Sequence, residues 1–190
     1  MRYKCLLTSS YNLGGYGITT VRRKDMILIK KWRNEQIDVL RQNILLTNKD
    51  QKIYYDSIIK PAISAEKPIC IIFSFINKKK CIGYGGLTKI NWVSKIAEIS
   101  FLENTKRAKN IKIYERDFVA FLKLIMRIAF VELNLNRLFT ETYDIRPAHI
   151  TILEKMGFKL ESRLKHQVFT KGSIVDSLIH GYLREEYIKK

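Results

Sequence analysis

Apolar and polar positions change period several times along the chain, and each change marks a predicted element. Residues 16–22 (YGITTVR) read as a short strand. Residues 1–15 before them read as either an extra strand or a loose arm ending in Gly14 and Gly15. Ile29 and Trp32 follow at helical spacing, and Asp25 is placed to cap their helix. Thr47 and Asp50 have the form of a capping box. The helix they open is predicted to end at Pro61. Residues 69–76 (ICIIFSFI) are continuously apolar, as in a buried strand. Residues 81–92 form the next strand, with glycines at 83, 85 and 86. In the strand 96–102 (IAEISFL), alternation puts Ala97, Ile99 and Phe101 on one face and Glu98, Ser100 and Leu102 on the other.

Residues 103–113 are polar, basic and without a strong period, so they read as a loop. A helix is predicted over 114–133, with Phe118, Phe121, Leu122, Ile125, Ile128 and Ala129 on one face. A strand follows at 137–142. Asp144 is then placed as the N-cap of a helix with Pro147 in its first turn and Gly157 as its left-handed end. Ile145, Ala148, His149, Ile152, Leu153 and Met156 make its inward stripe. Residues 158–169 and 174–183 pair as strands around the turn 170–173. The strand-helix-strand crossover in the middle is right-handed by default and makes 96–102 and 137–142 parallel. The fold class is therefore α/β: a mixed, mostly antiparallel sheet with a central parallel pair and helices on both faces.

At 190 residues the chain suits one domain, 1–190, with a sizeable core. It contains no run of the roughly 18–20 apolar residues that a membrane span needs. Its start has too short an apolar core for a signal peptide. Cys5, Cys70 and Cys81 have no CxxC spacing and read as reduced thiols, which points to the cytoplasm. The formal net charge of +17 attracts polyanions: nucleic acid, an anionic membrane surface or a phosphorylated small molecule. Against that stands the plain alternative of solvated surface lysines. No nucleic-acid motif is present, and neither a nucleic-acid nor a membrane partner is expected. His166 and His180 lack metal-ligand spacing with any Cys or acid, so no metal is expected.

Glu98 stands inside an otherwise apolar strand, where burial suits a carboxylate to take an ammonium proton. The alternative is a carboxylate paired with a nearby arginine. His149, on an apolar stripe, is either an acid-base group or a satisfied core histidine. Glu141 is a third acid-base candidate. Trp32, Tyr54, Tyr55, Tyr84 and Trp92 either stack on a base or sugar, or pack in the core.

The stretch 129–158, AFVELNLNRLFTETYDIRPAHITILEKMGF, resembles the ribosomal-protein-alanine-acetyltransferase-like branch of the GNAT superfamily. So do the hairpin 158–187 and the Trp32-Arg33-Asn34 triplet. The resemblance implies the GNAT fold and CoA-dependent N-acyl transfer from acetyl-CoA or another short acyl-CoA. It implies that pantetheine pairs with backbone near Phe101 and Leu102, in the gap where the parallel strands splay. It places the pyrophosphate at the following helix N-terminus, among Lys106, Arg107, Lys109, Asn110, Lys112 and Tyr114. Arg146 stands where the family has an Asn. Two departures are plain: 103–116 lacks the family's glycines, and Leu153 replaces the tyrosine that in many members protonates the leaving thiolate. The acceptor expected is a dTDP- or UDP-linked amino-deoxy sugar of surface-polysaccharide biosynthesis. Trp32, Arg33, Asn34 and Tyr84 are its expected contacts, and Arg22, Arg23, Lys30, Lys31 and Arg41 add to the positive charge nearby. The alternatives are the N-terminus of a ribosomal protein and, last, a non-enzymatic nucleic-acid module. Monomer and homodimer both fit.

Overall fold

The computed structural model describes residues 1–189. Eight strands make one sheet in the order β1-β2-β3-β4-β5-β6-β8-β7. They are β1 (Ser10–Leu13), β2 (Tyr16–Thr20), β3 (Ile71–Asn77), β4 (Lys80–Asn91), β5 (Ile96–Glu103), β6 (Arg137–Tyr143), β7 (Lys159–Thr170) and β8 (Ser173–Leu183). Every pairing is antiparallel except β5 with β6. The amino-terminal segment includes the extra strand, β1, turned back on β2 through Gly14 and Gly15. Both glycines have the positive φ that a tight turn favours in this residue.

The helices are α1 (Met26–Glu35), α2 (Asn48–Tyr54), α3 (Lys60–Ser64), α4 (Thr105–Ala108), α5 (Ile111–Arg127), α6 (Pro147–Lys155) and α7 (Arg184–Ile188). Local chemistry corrects several predicted ends. Asp25 does not cap α1. Its carboxylate is buried and bonded by the Arg22 guanidinium at 2.5 and 3.0 Å. The Thr47–Asp50 capping box forms as expected, but the helix does not stop at Pro61. A wide π turn over Tyr55–Ile59 resets the backbone register just before the proline, and α3 carries on to Ser64. Asp144 leaves the capping of α6 and pairs with Arg163 instead. Gly157 ends α6 at φ 99°, the left-handed stop expected of it.

The segment 103–113 is not a plain loop. Asn104 accepts from the Lys106 and Arg107 amides to start α4, and Asn110 accepts from the Ile113 amide to start α5. Asparagine caps thus replace glycine as the turn-forming device. The alternation of β5 holds. Phe101 lies against Phe118 and Phe121 of α5, with ring centroids 4.8 and 4.6 Å apart, while Glu98 lies on the other face with the segment after α1. Gly85 of β4 is required by this packing, since a Cβ there would sit 2.1 Å from the Ser100 carbonyl oxygen and 2.9 Å from the Phe121 ring.

Candidate active site

The parallel pair is short. Ile96, Ala97 and Glu98 oppose Arg137, Leu138 and Phe139, and beyond them the strands part. The edge of β5 from Ile99 and that of β6 from Thr140 therefore face a gap rather than each other. Backbone N–H and C=O groups along such an edge call for partners. One has a partner already: the Gln36 side-chain amide donates to the Glu103 carbonyl at 2.8 Å.

Two chambers meet at this gap. One, of about 470 Å³, lies between the α4–α5 region and the start of α6, with Thr105, Lys109, Tyr114, Arg146 and His149 in its wall. The other, of about 290 Å³, is lined by Arg33, Arg41, Lys89, Glu98, Glu141 and Tyr143 among others. Val39, Arg146 and His149 belong to both walls, so the chambers join there. A smaller apolar cavity of about 160 Å³ between α1 and α2 shares Arg33 with the second chamber.

At the junction the Arg146 guanidinium donates to the Tyr114 hydroxyl at 3.0 Å, and that hydroxyl lies 2.7 Å from His149 Nδ1. The imidazole stacks on Phe118 at 4.3 Å. Burial holds the His149 pKa well below the ordinary histidine value, and the charges of Arg146 and His180 lower it further. His149 is thus neutral near pH 7, and in its Nε2–H tautomer Nδ1 accepts a hydrogen bond from the Tyr114 hydroxyl. Burial raises the Tyr114 pKa, with Arg146 opposing. The hydroxyl therefore keeps its proton.

In the second chamber Glu98 is buried but paired. Arg41 bonds both its oxygens, at 2.6 and 3.2 Å, and Lys89 reaches it at 2.9 Å. Before Glu98 accepts a proton from a substrate, one of these contacts must be given up. Arg41 also contacts Glu141, whose other oxygen accepts from Ser177 at 2.9 Å. Arg33 donates to Gln42 and to the Tyr84 hydroxyl, and has no carboxylate partner among the described residues.

The remaining expected contacts divide. Trp32 is a core residue at 3% exposure. Asn34 holds the 36–47 segment through the Leu46 backbone and Gln42. Leu102 is buried in the β4–β5 ladder. The Arg107 guanidinium is bonded to Asp117 and Glu103 and so is not free for phosphate. Burial raises the Glu103 pKa, and the neighbouring Asp117 charge adds to it. Burial alone would raise Asp117 too, but hydrogen bonds from Glu103, Tyr16 and Arg107 bring its pKa below the usual value. Lys106, Lys109 and Lys112 are exposed around the starts of α4 and α5. Residue-by-residue reading singled out neither Gln36, Val39 nor Lys89. A turn residue and a lysine in a lysine-rich chain carry no distinguishing signal.

Residues 18–179 match the acetyltransferase (GNAT) domain family. The chain belongs to that family. A spermidine N-acetyltransferase from Vibrio cholerae, solved with CoA and spermine, superposes with a TM-score of 0.76 at 17% identity, covering 92% of this chain and 98% of that one. The spermidine/spermine N-acetyltransferase SpeG from the same organism, solved with manganese ions, gives 0.75 at 17% identity over 92% and 96%. In sequence, 64 residues are 34% identical to the SPbeta prophage-derived uncharacterized N-acetyltransferase YokL of Bacillus subtilis. That match covers 34% of this chain and 36% of the relative, about a third of its length. The GNAT chain is a CoA-dependent acyltransferase by its family, and the splayed gap between the two chambers is its candidate active site. Among the described residues no cluster of His, Cys, Asp and Glu suits a metal ion, and no helix is long and apolar enough to cross a membrane.

Proposed function

We infer that this enzyme transfers an acetyl or related short acyl group from CoA to the primary amine of a dTDP- or UDP-linked amino-deoxy sugar in surface-polysaccharide biosynthesis. Arg33 carries the reading. Its guanidinium is half-buried in the acceptor chamber with only neutral partners, Gln42 and Tyr84. A guanidinium so placed matches a phosphate-bearing substrate through its planar donor fork. Acyl-CoA occupies the larger chamber, with the free β5 edge for its pantetheine and the lysines around α4 and α5 for its phosphates. The acceptor enters the smaller one. Its ammonium gives one proton to Glu98, the neutral nitrogen attacks the thioester carbonyl, and the tetrahedral intermediate expels the CoA thiolate, which takes the second N–H proton through water and leaves as the thiol beside the amide. Arg146, which donates to the Tyr114 hydroxyl, adds positive charge at the junction where the oxyanion develops.

A second reading, a polycationic amine, rests on the Glu98–Glu141 pair, which holds a cation between two strands. The net charge of +17 opposes it at long range. The ribosomal N-terminus has in its favour the resemblance carried by 129–158, the hairpin 158–187 and the Trp32-Arg33-Asn34 triplet, together with the basic charge that suits approach to a ribosome. Thiol release from acetyl-CoA decides among them, with a panel of dTDP- and UDP-amino sugars, spermidine and a ribosomal N-terminal peptide as acceptors. Turnover of an amino sugar is expected. Turnover of spermidine or the peptide with every sugar inert overturns the reading.

A further inference from the structure

We propose that Arg41 is a built-in occupant of the acceptor-amine seat: its guanidinium fills the place between Glu98 and Glu141, and an incoming ammonium must displace it. The inference rests on the reading that the smaller chamber receives the acceptor. Glu98 on β5 and Glu141 on β6 stand on the two strands that part at the gap. Both are drawn from water, with side chains only 6% and 16% exposed. Two carboxylates in such a place need a compensating cation whether substrate is bound or not. In the resting protein Arg41 bridges both carboxylates, and Lys89 reaches Glu98 alone at 2.9 Å.

The seat is fixed and its occupant is not. Glu98 lies in a strand paired on both sides, and Glu141 is held from β8 by Ser177. Arg41 comes from irregular backbone beyond the turn at Ile37–Val39, and its side chain is 43% exposed. The backbone around it is tied down on both sides. The Asp38 carbonyl accepts from Thr170 at 2.9 Å, and Asn34 holds the Leu46 backbone. A long side chain between two anchored points can swing out to water while the turn stays in place. Exchanging one cation for another leaves the seat charge-balanced throughout, so the step avoids a naked buried carboxylate pair. Arg41 then acts as a selectivity residue. A neutral molecule that fits the chamber cannot replace it, whereas an ammonium can.

Butane-1,4-diammonium serves as the probe cation, with its binding to the full chain followed by calorimetry in the presence of CoA. An internal occupant present most of the time weakens apparent binding by the fraction of time the seat is free, so Arg41→Ala should bind the probe at least about 10-fold more tightly than wild type. The gain should vanish in Arg41→Ala combined with Glu141→Gln. Added guanidinium ion should compete the probe off Arg41→Ala by entering the vacated place. Lys79→Ala, one charge fewer on the β3–β4 turn, controls for the overall field and should bind like wild type. If Arg41→Ala does not fold, Arg41→Met, which keeps the aliphatic stem, takes its place. Unchanged or weaker probe binding in the folded variant overturns the proposal and makes Arg41 a fixed strap between β5 and β6. So does a gain that survives Glu141→Gln or is matched by Lys79→Ala. CoA affinity is read in the same titrations. Loss of CoA binding by the wild type defeats the acyltransferase reading of the chambers, whereas normal CoA binding with no Arg41 effect defeats this inference alone.

Discussion

Glu98 and His149 are both buried polar residues beside the gap, yet their surroundings assign them different chemistry. Glu98 is engaged by two cations, and the proposed base role requires Arg41 or Lys89 to give way first. Glu98→Gln should leave CoA affinity unchanged and lower turnover by roughly 10²–10⁴ near neutral pH. Steady-state thiol release checks this, and an unchanged rate moves proton removal to Glu141 or water. His149 is held neutral by burial. Its folded pKa lies below its unfolded value of about 6.5, so below that pH the unfolded chain binds the extra proton. The stability linked to His149 is therefore complete above about pH 6.5 and declines as the pH falls, by at most about 1.4 kcal/mol per pH unit. Urea unfolding across this range should show a shallower pH slope for His149→Gln than for wild type. Equal slopes would mean that His149 titrates alike in both states.

At the scale of elements, termini decide where the site's groups stand. The Thr47–Asp50 box starts α2 right after the segment that carries Arg41 and Gln42. Thr47→Ala should cost about 1 kcal/mol in denaturant unfolding, with little change in CoA affinity. Asn104 and Asn110 start α4 and α5, where the resemblance leads one to expect glycines. Their side chains take the Lys106, Arg107 and Ile113 amides, and on the proposed function the exposed lysines beside them serve the CoA phosphates. CoA binding at this end should therefore depend strongly on salt, because exposed charges are screened. Calorimetric titrations at low and high ionic strength check it, and dephospho-CoA should bind more weakly than CoA. A salt-independent affinity would assign the phosphates to buried donors.

For the molecule as a whole, the single parallel contact creates the candidate site. Seven pairings connect eight strands, and only β5–β6 needs a helical crossover. The crossover helix α5 is packed against Phe101 by a stacked aromatic group and reaches His149 of α6 through Phe118. One face of the gap is thus lined by a rigid aromatic wall and the other by ion pairs from the segment after α1. On the proposed function the first holds the thioester and the second receives the charged amine. Arg33→Ala should then raise KM for a phosphate-bearing acceptor without changing KM for acetyl-CoA. Initial-rate kinetics with each substrate varied in turn checks it, and an equal rise in both constants would show a general disturbance of the fold.

Whereas α4 and α7 cannot be read along the chain, the order of strands β2 to β8, the crossover and the family can. These follow from local information: the period of apolar residues, the Thr47 capping box, the turn at 170–173, the stop at Gly157 and the string Glu154–Phe158. Alternation in 96–102 was enough to put Glu98 and Phe101 on opposite faces. Tertiary structure alone decided which charges meet. Arg41 reaches across 57 and 100 residues to Glu98 and Glu141, and Asp25 turns to Arg22 instead of capping its helix. Likewise Arg107 goes to Asp117 and Glu103, and Tyr114 joins His149 and Arg146. A long charged side chain in a chain with 35 lysines and arginines has many potential partners, and nothing local ranks them. Only the packed sheet, by fixing the carboxylates and excluding water from them, selects the partner that remains.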